Sequence, residues 1–338
     1  MSIVLGLPSK GSLYDGAVSL LNRAGLGLKS RGRGQSYWGK LVNVDSVAVQ
    51  FMRAEELPFR VASGDIHLAI TGLDLVKETS TNPGDSFGLI DDLHYGHARL
   101  VAAVPNYWLD VNTFEDLGEV AIDIKSKMNR NLRVGTKFIN LTRKFFEQHG
   151  VLDFSIVKSA GATEAMPQAG AADIVVDLTS TGKTLIGNNL KEIQGGTVIE
   201  SQACLIGSRS IASLAADDVN RVKQILEMIE ASLLSRDHCL IHFSIEEQKL
   251  GHLKETLKQE NGCIFDYEPS IPKHDLPGAK PVFTGIICPV KETYNVVSLL
   301  REEQAFGISV GESSLMFSSQ PKFTSRLDRI LNQDSPLH

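Results

Sequence analysis

Residues 177–188 read DLTSTGKTLIGN, and their Gly-Lys-Thr suggests a phosphate grip. A Walker A loop requires G-x-x-x-x-G-K-[ST], and counting back from Gly182 puts its first glycine at position 177. That residue is Asp177, whose carboxylate would repel a nucleotide's phosphates. A different anion site fits the stretch. The apolar run DIVVDL (173–178) reads as a buried strand, TSTGKT as a turn and LIGNNL as the opening of a helix. Backbone N–H groups at such a turn point outward and bind one phosphate. Thr179, Ser180, Thr181 and Thr184 add hydroxyl donors, Lys183 a charge, and Gly182 lets the backbone approach closely. Asp177, at the strand end, is placed to accept hydrogen bonds from vicinal hydroxyls. Phosphate grip beside diol grip suits a ribose 5-phosphate. The same residues also read as a solvated, Thr-rich strand-to-helix turn, and the stretch alone leaves both readings open.

Outward from this stretch the chain alternates strands and helices. An apolar strand at 3–7 precedes helical spacing over 13–23, with Leu13, Ala17, Leu20 and Leu21 on one face. A glycine-rich basic loop (25–39) follows, then strand signals at 43–52, 66–72 and 98–105, with a helix ending in FRVASGD (59–65). Polar NYWLDVNTFEDLGE (106–119) leads into strand RVGT, helix NLTRKFFEQHG, strand SIVKSAG, helix ATEAMPQAG and strand DIVVDL. This alternation predicts two similar α/β lobes. A helix is expected over about 217–234, and the Pro- and Gly-rich stretch 261–281 marks a boundary. Beyond it VFTGIICPV, KETYNVVSLLREEQA and GISVGESSLMF form a small strand–helix–strand module.

Composition narrows the function classes. The chain has 338 residues, 42% hydrophobic and 22% charged, with a net charge of −6. General attraction to nucleic acid or to an anionic membrane is excluded by that sign, so any anion site is built locally. The four cysteines form no CxxC pair and read as buried thiols of a reducing compartment. The start MSIVLGLPSKG has no basic n-region and long apolar run, and no stretch reaches the roughly eighteen apolar residues of a span. A cytoplasmic protein is expected. GRGQSY fails the dinucleotide pattern G-x-G-x-x-G at Tyr37. His94 and His97, and His238 and His242, could pair on helical faces, but without a third ligand they read as packing or surface residues. Tyr37 and Trp38 could stack on a base or simply cover apolar surface.

Several blocks, in order, resemble the ATP phosphoribosyltransferase family. LGLPSKGSLYDGA (5–17) is similar to that family's Leu-Pro-Lys-Gly-Arg-Leu block. Residues 54–78, AEELPFRVASGDIHLAITGLDLVKE, resemble its helix followed by Gly-x-x-x-Leu-Gly-Ile-Thr-Gly and Asp. RVGTKFINLTRKFFEQHG (133–150) resembles Arg-Val-Ala-Thr-Lys-Tyr-x-Asn-Leu-Thr-Arg, and 161–190 resembles the stretch ending in the phosphoribosyl-pyrophosphate (PRPP) loop. The match covers about residues 1–210; from about Lys280 to Phe317 the likeness to the long-form regulatory domain is weak. Ser12 stands where the family usually has Arg, so one anion contact is either missing or supplied by Arg31 or Arg33. The usual linker motif is reduced to LPGAKP (276–281).

The resemblance implies an α/β fold with two periplasmic-binding-protein-like lobes around a cleft, plus a small C-terminal α+β, ACT-like domain. Lobe I is expected over 1–104 and about 196–235, lobe II over 105–195, and the regulatory or oligomerisation domain over 236–338. The implied reaction joins N1 of ATP to C1 of PRPP, with magnesium neutralising the departing pyrophosphate. Carried over, Thr179 to Thr184 hold the 5-phosphate, while Asp177 and Glu164 face the ribose hydroxyls. Lys10 contacts pyrophosphate or ATP phosphates, Arg53 lies near the nucleotide, and the Gly72–Asp74 turn lines the cleft. Arg31 and Arg33 are candidates for the triphosphate; Thr136, Lys137 and Arg143 shape lobe II. Histidine is an implied inhibitor, and the family implies homo-oligomers, dimers or hexamers. Two other readings are a non-catalytic two-lobe binding protein, against which the phosphate loop argues, and a catalytically silent regulatory paralogue, which Ser12 keeps open.

Overall fold

A computed structural model describes residues 3–30, 37–79, 86–264 and 281–333. Arg31, Arg33 and most of the Pro- and Gly-rich 261–281 stretch lie outside the described residues.

The chain begins with β1 (Ile3–Pro8), α1 (Ser12–Arg23), β2 (Leu28–Ser30), β3 (Trp38–Leu41), β4 (Val47–Met52), α2 (Leu57–Ala62), β5 (Leu68–Gly72), α3 (Leu73–Thr79) and β6 (Ser86–Ile90). There follow β7 (Ala98–Pro105), α4 (Phe114–Met128), β8 (Leu132–Thr136), α5 (Ile139–Gln148), β9 (Phe154–Lys158), β10 (Ile174–Thr179), α6 (Lys183–Gly187), β11 (Leu190–Ser201) and β12 (Ala203–Ser208). The rest comprises α7 (Ala216–Asp237), β13 (His238–Glu246), α8 (Glu247–Asn261), β14 (Pro281–Pro289), α9 (Thr293–Glu302), β15 (Phe306–Gly311) and α10 (Lys322–Gln333).

Lobe I is a seven-stranded sheet ordered β2-β3-β4-β1-β5-β12-β6, with β1 parallel to both β4 and β5. Near-continuous burial of IVLGLP and LAITG is what a strand covered on both faces requires. α1 turns Ala17, Leu20 and Leu21 into that core. Lobe II is ordered β11-β7-β10-β8-β9, with β10 parallel to β8 and antiparallel to β7. Its core is aromatic: Phe114 packs edge-on against Phe145 and Phe146 at 4.9 and 5.1 Å. The third sheet, β14-β13-β15, carries α8 and α9 on a core of its own.

Five expectations need correction. The chain changes lobe at residues 91–97 and at Gln202, not near 104 and 196, because β7 pairs with β11 from Ser201↔Ala98 to Leu190↔Pro105. The C-terminal module does not keep the whole tail. α10 returns to lobe I, where Leu327 is fully buried in the core and Phe323 and Leu331 pack against it. The Glu230 carboxylate accepts the N–H groups of Lys322 and Phe323 at 2.9 and 3.2 Å and so caps that helix. HCLIH is part of strand β13, not a helix, and His242 stacks on Phe283 with rings 6° from parallel. ATEAMPQAG forms only a 3-10 turn at Thr163–Ala165, since Pro167 cannot continue a helix. α4, inside a segment read as polar connection, is announced by a capping box. Thr113 Oγ1 accepts the Asp116 N–H at 3.1 Å, and Asp116 accepts the Thr113 N–H at 2.8 Å. No described helix is long and apolar enough to cross a membrane.

Candidate active site between the lobes

Parallel strands carry functional groups at their C-terminal ends, and β10 ends on Asp177, Leu178 and Thr179. The Thr179 side chain is buried, and its Oγ1 accepts the Gly182 N–H at 2.9 Å, which folds the bend back on itself. Gly182 sits at φ +74°, a left-handed conformation that glycine adopts without strain. Ser180, Thr181, Lys183 and Thr184 are exposed around this bend. Lys183 begins α6.

Asp177 and the bend open on a cleft of about 940 Å³ between the lobes. Asp177, Thr179 and Ser180 line it from lobe II; Gly72, Asp74 and Ser12 line it from lobe I. Burial holds the Asp177 carboxyl above its ordinary range. The Leu178 N–H donated at 2.9 Å and the charge of Lys137 pull it back, while that of Glu164 pushes it further up. Glu164, on the turn after β9, is thus an electrostatic neighbour of Asp177 but does not line the cleft. Asp74 is buried and has its carboxyl raised by desolvation. Ser201 donates to its Oδ1 at 2.6 Å and accepts its backbone N–H at 3.0 Å, so Asp74 ties α3 to the end of β11. A Cβ on Gly72 would lie 2.4 Å from Asp74 Oδ1, which explains the glycine.

Lys10 and Arg53 line an adjoining depression of about 720 Å³ with Tyr37, Gln50 and Glu56; Phe59 borders both spaces. Thr181 and Gly182 face a third, smaller hollow beside Glu192, which is paired with Arg99 at 2.9 Å. The calls on Lys10 and Arg53 therefore fall beside the cleft, and those on Asp177, Thr179, Ser180, Gly72 and Asp74 within it. Lys137, expected only to shape lobe II, lines the cleft, whereas Thr136 is buried and accepts the Phe138 N–H at 3.0 Å. Glu78, Asn140 and Lys158 also line the cleft and were not among the expected site residues, although Asn140 stands at the Asn of the quoted Thr-Lys-Tyr-x-Asn-Leu-Thr-Arg block. Tyr37 is 64% exposed and Trp38 46%, so neither is covering core.

The ATP phosphoribosyltransferase family model matches residues 53–231, which span α2 to α7 and hold both walls of the cleft. The chain belongs to the ATP phosphoribosyltransferase family. It is 35% identical over 338 residues to the ATP phosphoribosyltransferase of Rhodopseudomonas palustris (strain BisB18), covering 98% of each chain. It is 37% identical to that of Afipia carboxidovorans, covering 97% of this chain and 98% of the relative. Among solved structures it is similar to the ATP phosphoribosyl transferase (HisG:HisZ) complex from Thermotoga maritima, at 22% identity and a TM-score of 0.50. That likeness covers 68% of this chain and 98% of the other, and it bears on the fold. As an ATP phosphoribosyltransferase, the enzyme moves the 5-phosphoribosyl group of PRPP to N1 of ATP and releases pyrophosphate, the first step of histidine biosynthesis.

Proposed function

We propose that the bend after β10 holds the 5-phosphate of PRPP and that Asp177, helped by Glu164, holds its ribose hydroxyls. The observation that carries this is the opening of Asp177, Thr179 and Ser180 onto one wall of the cleft, opposite Gly72. The adenine N1 lone pair attacks C1 as the bond to pyrophosphate breaks. Positive charge grows on the ribosyl ring and negative charge on the departing diphosphate. No strong base is needed, so rate comes from positioning and fixed charge. Lys137 and Lys158 are the cleft cations available to the diphosphate, and Lys10 and Arg53 are candidates for the ATP phosphates, together with Arg31 and Arg33, which lie outside the described residues.

When bound, magnesium would neutralise charge on the leaving diphosphate. Among the described residues no group of three or more His, Cys, Asp or Glu side chains is arranged to hold a metal. That fits an ion carried mainly on phosphate oxygens and water. Asp74 is engaged by Ser201 and Glu78 by the Asn140 and Leu141 N–H groups, which leaves Asp177 and Glu55 as the cleft carboxylates that would hold such an ion.

The test mixes purified protein with ATP, PRPP and magnesium and follows phosphoribosyl-ATP absorbance. A folded Asp177→Ala variant at full activity would remove the diol assignment. The same assay with added histidine tests the C-terminal module as an inhibitor site, and sedentimentation of the protein tests a homo-oligomer of dimers or hexamers. A cytoplasmic location is the companion of this reading.

A further inference from the structure

Cys239, Cys263 and Cys288 are 24 or more positions apart in sequence and yet form one row in the C-terminal module. Cys288 on β14 lies directly across from Cys239 on β13. On its other side, Ile264 and Ile287 exchange both backbone hydrogen bonds at 2.9 Å in an antiparallel bridge. Antiparallel pairing one step further sets Cys263 opposite Cys288. Because Ile264 and Ile287 are the hydrogen-bonded pair, Cys263 and Cys288 are the adjacent non-hydrogen-bonded pair, where cross-strand side chains come closest. The backbone groups of Cys288 then point toward β13, so Cys288 and Cys239 form a wider, hydrogen-bonded pair. A disulfide needs Cβ atoms about 3.5–4.5 Å apart, which favours the narrow pair.

The three thiols differ in chemistry. Cys239 Sγ is 3.3 Å from Thr293 Oγ1 at the start of α9. Cys288 lies 3.3 Å from the Pro289 carbonyl. A hydrogen bond from Cys288 holds Cys263 below its ordinary thiol value, and the same contact pushes Cys288 up. Cys263 is thus the nucleophilic member and Cys288 its proton-bearing partner. All four thiols are buried, and Cys204, in lobe I beside Asp74 and pushed up to about 12 by that burial, has no cysteine next to it and is the control.

We propose that Cys263 and Cys288 form a reversible oxidation site that fastens the end of α8 to β14. With hydrogen peroxide as oxidant, the Cys263 thiolate attacks one oxygen; an S–O bond forms, O–O breaks, and hydroxide leaves to take up the thiol's proton as water. Cys288 sulfur then attacks the Cys263 sulfenic acid. The S–S bond forms, S–O breaks, and the Cys288 proton leaves with that oxygen as a second water. Two thiols and one peroxide give one disulfide and two waters. A small dithiol reverses it by exchange.

The experiment treats the full-length protein with hydrogen peroxide, alkylates it in denaturant and maps peptides by mass spectrometry. The expected result is a loss of about 2 Da per chain, a peptide crosslinked between Cys263 and Cys288, two free thiols where there were four, and full reversal by dithiothreitol. The crosslink persists in Cys239→Ser and Cys204→Ser. Mapping in the unsubstituted protein needs no variant to fold. Four thiols that survive peroxide, a bond that uses Cys239 or Cys204 instead, a bond between chains, or oxidation of the sulfenic acid on to sulfinic acid in place of the disulfide would each overturn the proposal.

Discussion

Glu78 of lobe I caps a helix of lobe II: its carboxylate accepts the Asn140 N–H at 2.9 Å, and the Asn140 side-chain amide donates to the Glu78 carbonyl at 2.9 Å. The second carboxylate oxygen takes the Leu141 N–H at 3.0 Å. The first turn of α5 leaves backbone N–H groups without partners, and Phe138 at its own cap position supplies no side-chain acceptor. The missing acceptor comes from across the cleft. Glu78→Ala is expected to cost about 1 kcal/mol of unfolding free energy, the usual value of a lost cap. It also frees the two walls to separate, so KM for PRPP rises more than kcat falls. Denaturant titration and steady-state kinetics check the two halves.

Asp177 is held above the ordinary carboxylate range mainly by burial. A raised carboxyl favours the folded state while it is protonated, and that contribution is lost as pH climbs through the folded value. Asp177→Asn removes the loss. Its stability relative to the unsubstituted enzyme is expected to increase between about pH 4 and pH 7, while phosphoribosyl-ATP formation falls about 100-fold. Thermal melts across pH, paired with the absorbance assay, read both effects.

Asp173 has the opposite sign. Burial would raise its carboxyl, but hydrogen bonds from Arg133 at 2.9 Å, from Arg130 at 2.6 Å and from the Arg133 N–H at 2.8 Å hold it below its ordinary value. A depressed carboxyl stabilises the fold above its unfolded pKa, and this is lost as pH falls through the folded value. Asp173→Asn is therefore expected to lower stability at pH 7 by about 2 kcal/mol. The deficit should shrink as pH falls below the ordinary carboxylate value of about 4 and vanish once Asp173 is protonated in the folded state. Chemical denaturation at both pH values measures it.

Leu327 tests where the tail belongs. It is fully buried in the lobe I core, so Leu327→Ala is expected to destabilise that lobe by about 3 kcal/mol. Hydrogen exchange should speed up in α7 and β6 and stay unchanged in β13 and β14. Faster exchange confined to the C-terminal module would refute the assignment.

The sequence by itself determined the alternation of apolar strands and amphipathic helices, and it marked the one place where hydroxyls, a glycine and a carboxylate follow a buried strand. These are local properties: period, turn chemistry and a motif of fixed spacing, as in Asp177 to Thr184. Tertiary structure alone decided the rest, because it depends on which distant segments meet. β7 went to lobe II because β10 and β11 pair with it, and α10 went to lobe I because Leu327 found a core there. Glu78 became a cap only when the lobes faced each other, and Cys263, Cys288 and Cys239 became neighbours only through strand register. No spacing along the chain encodes a contact made by closing a loop.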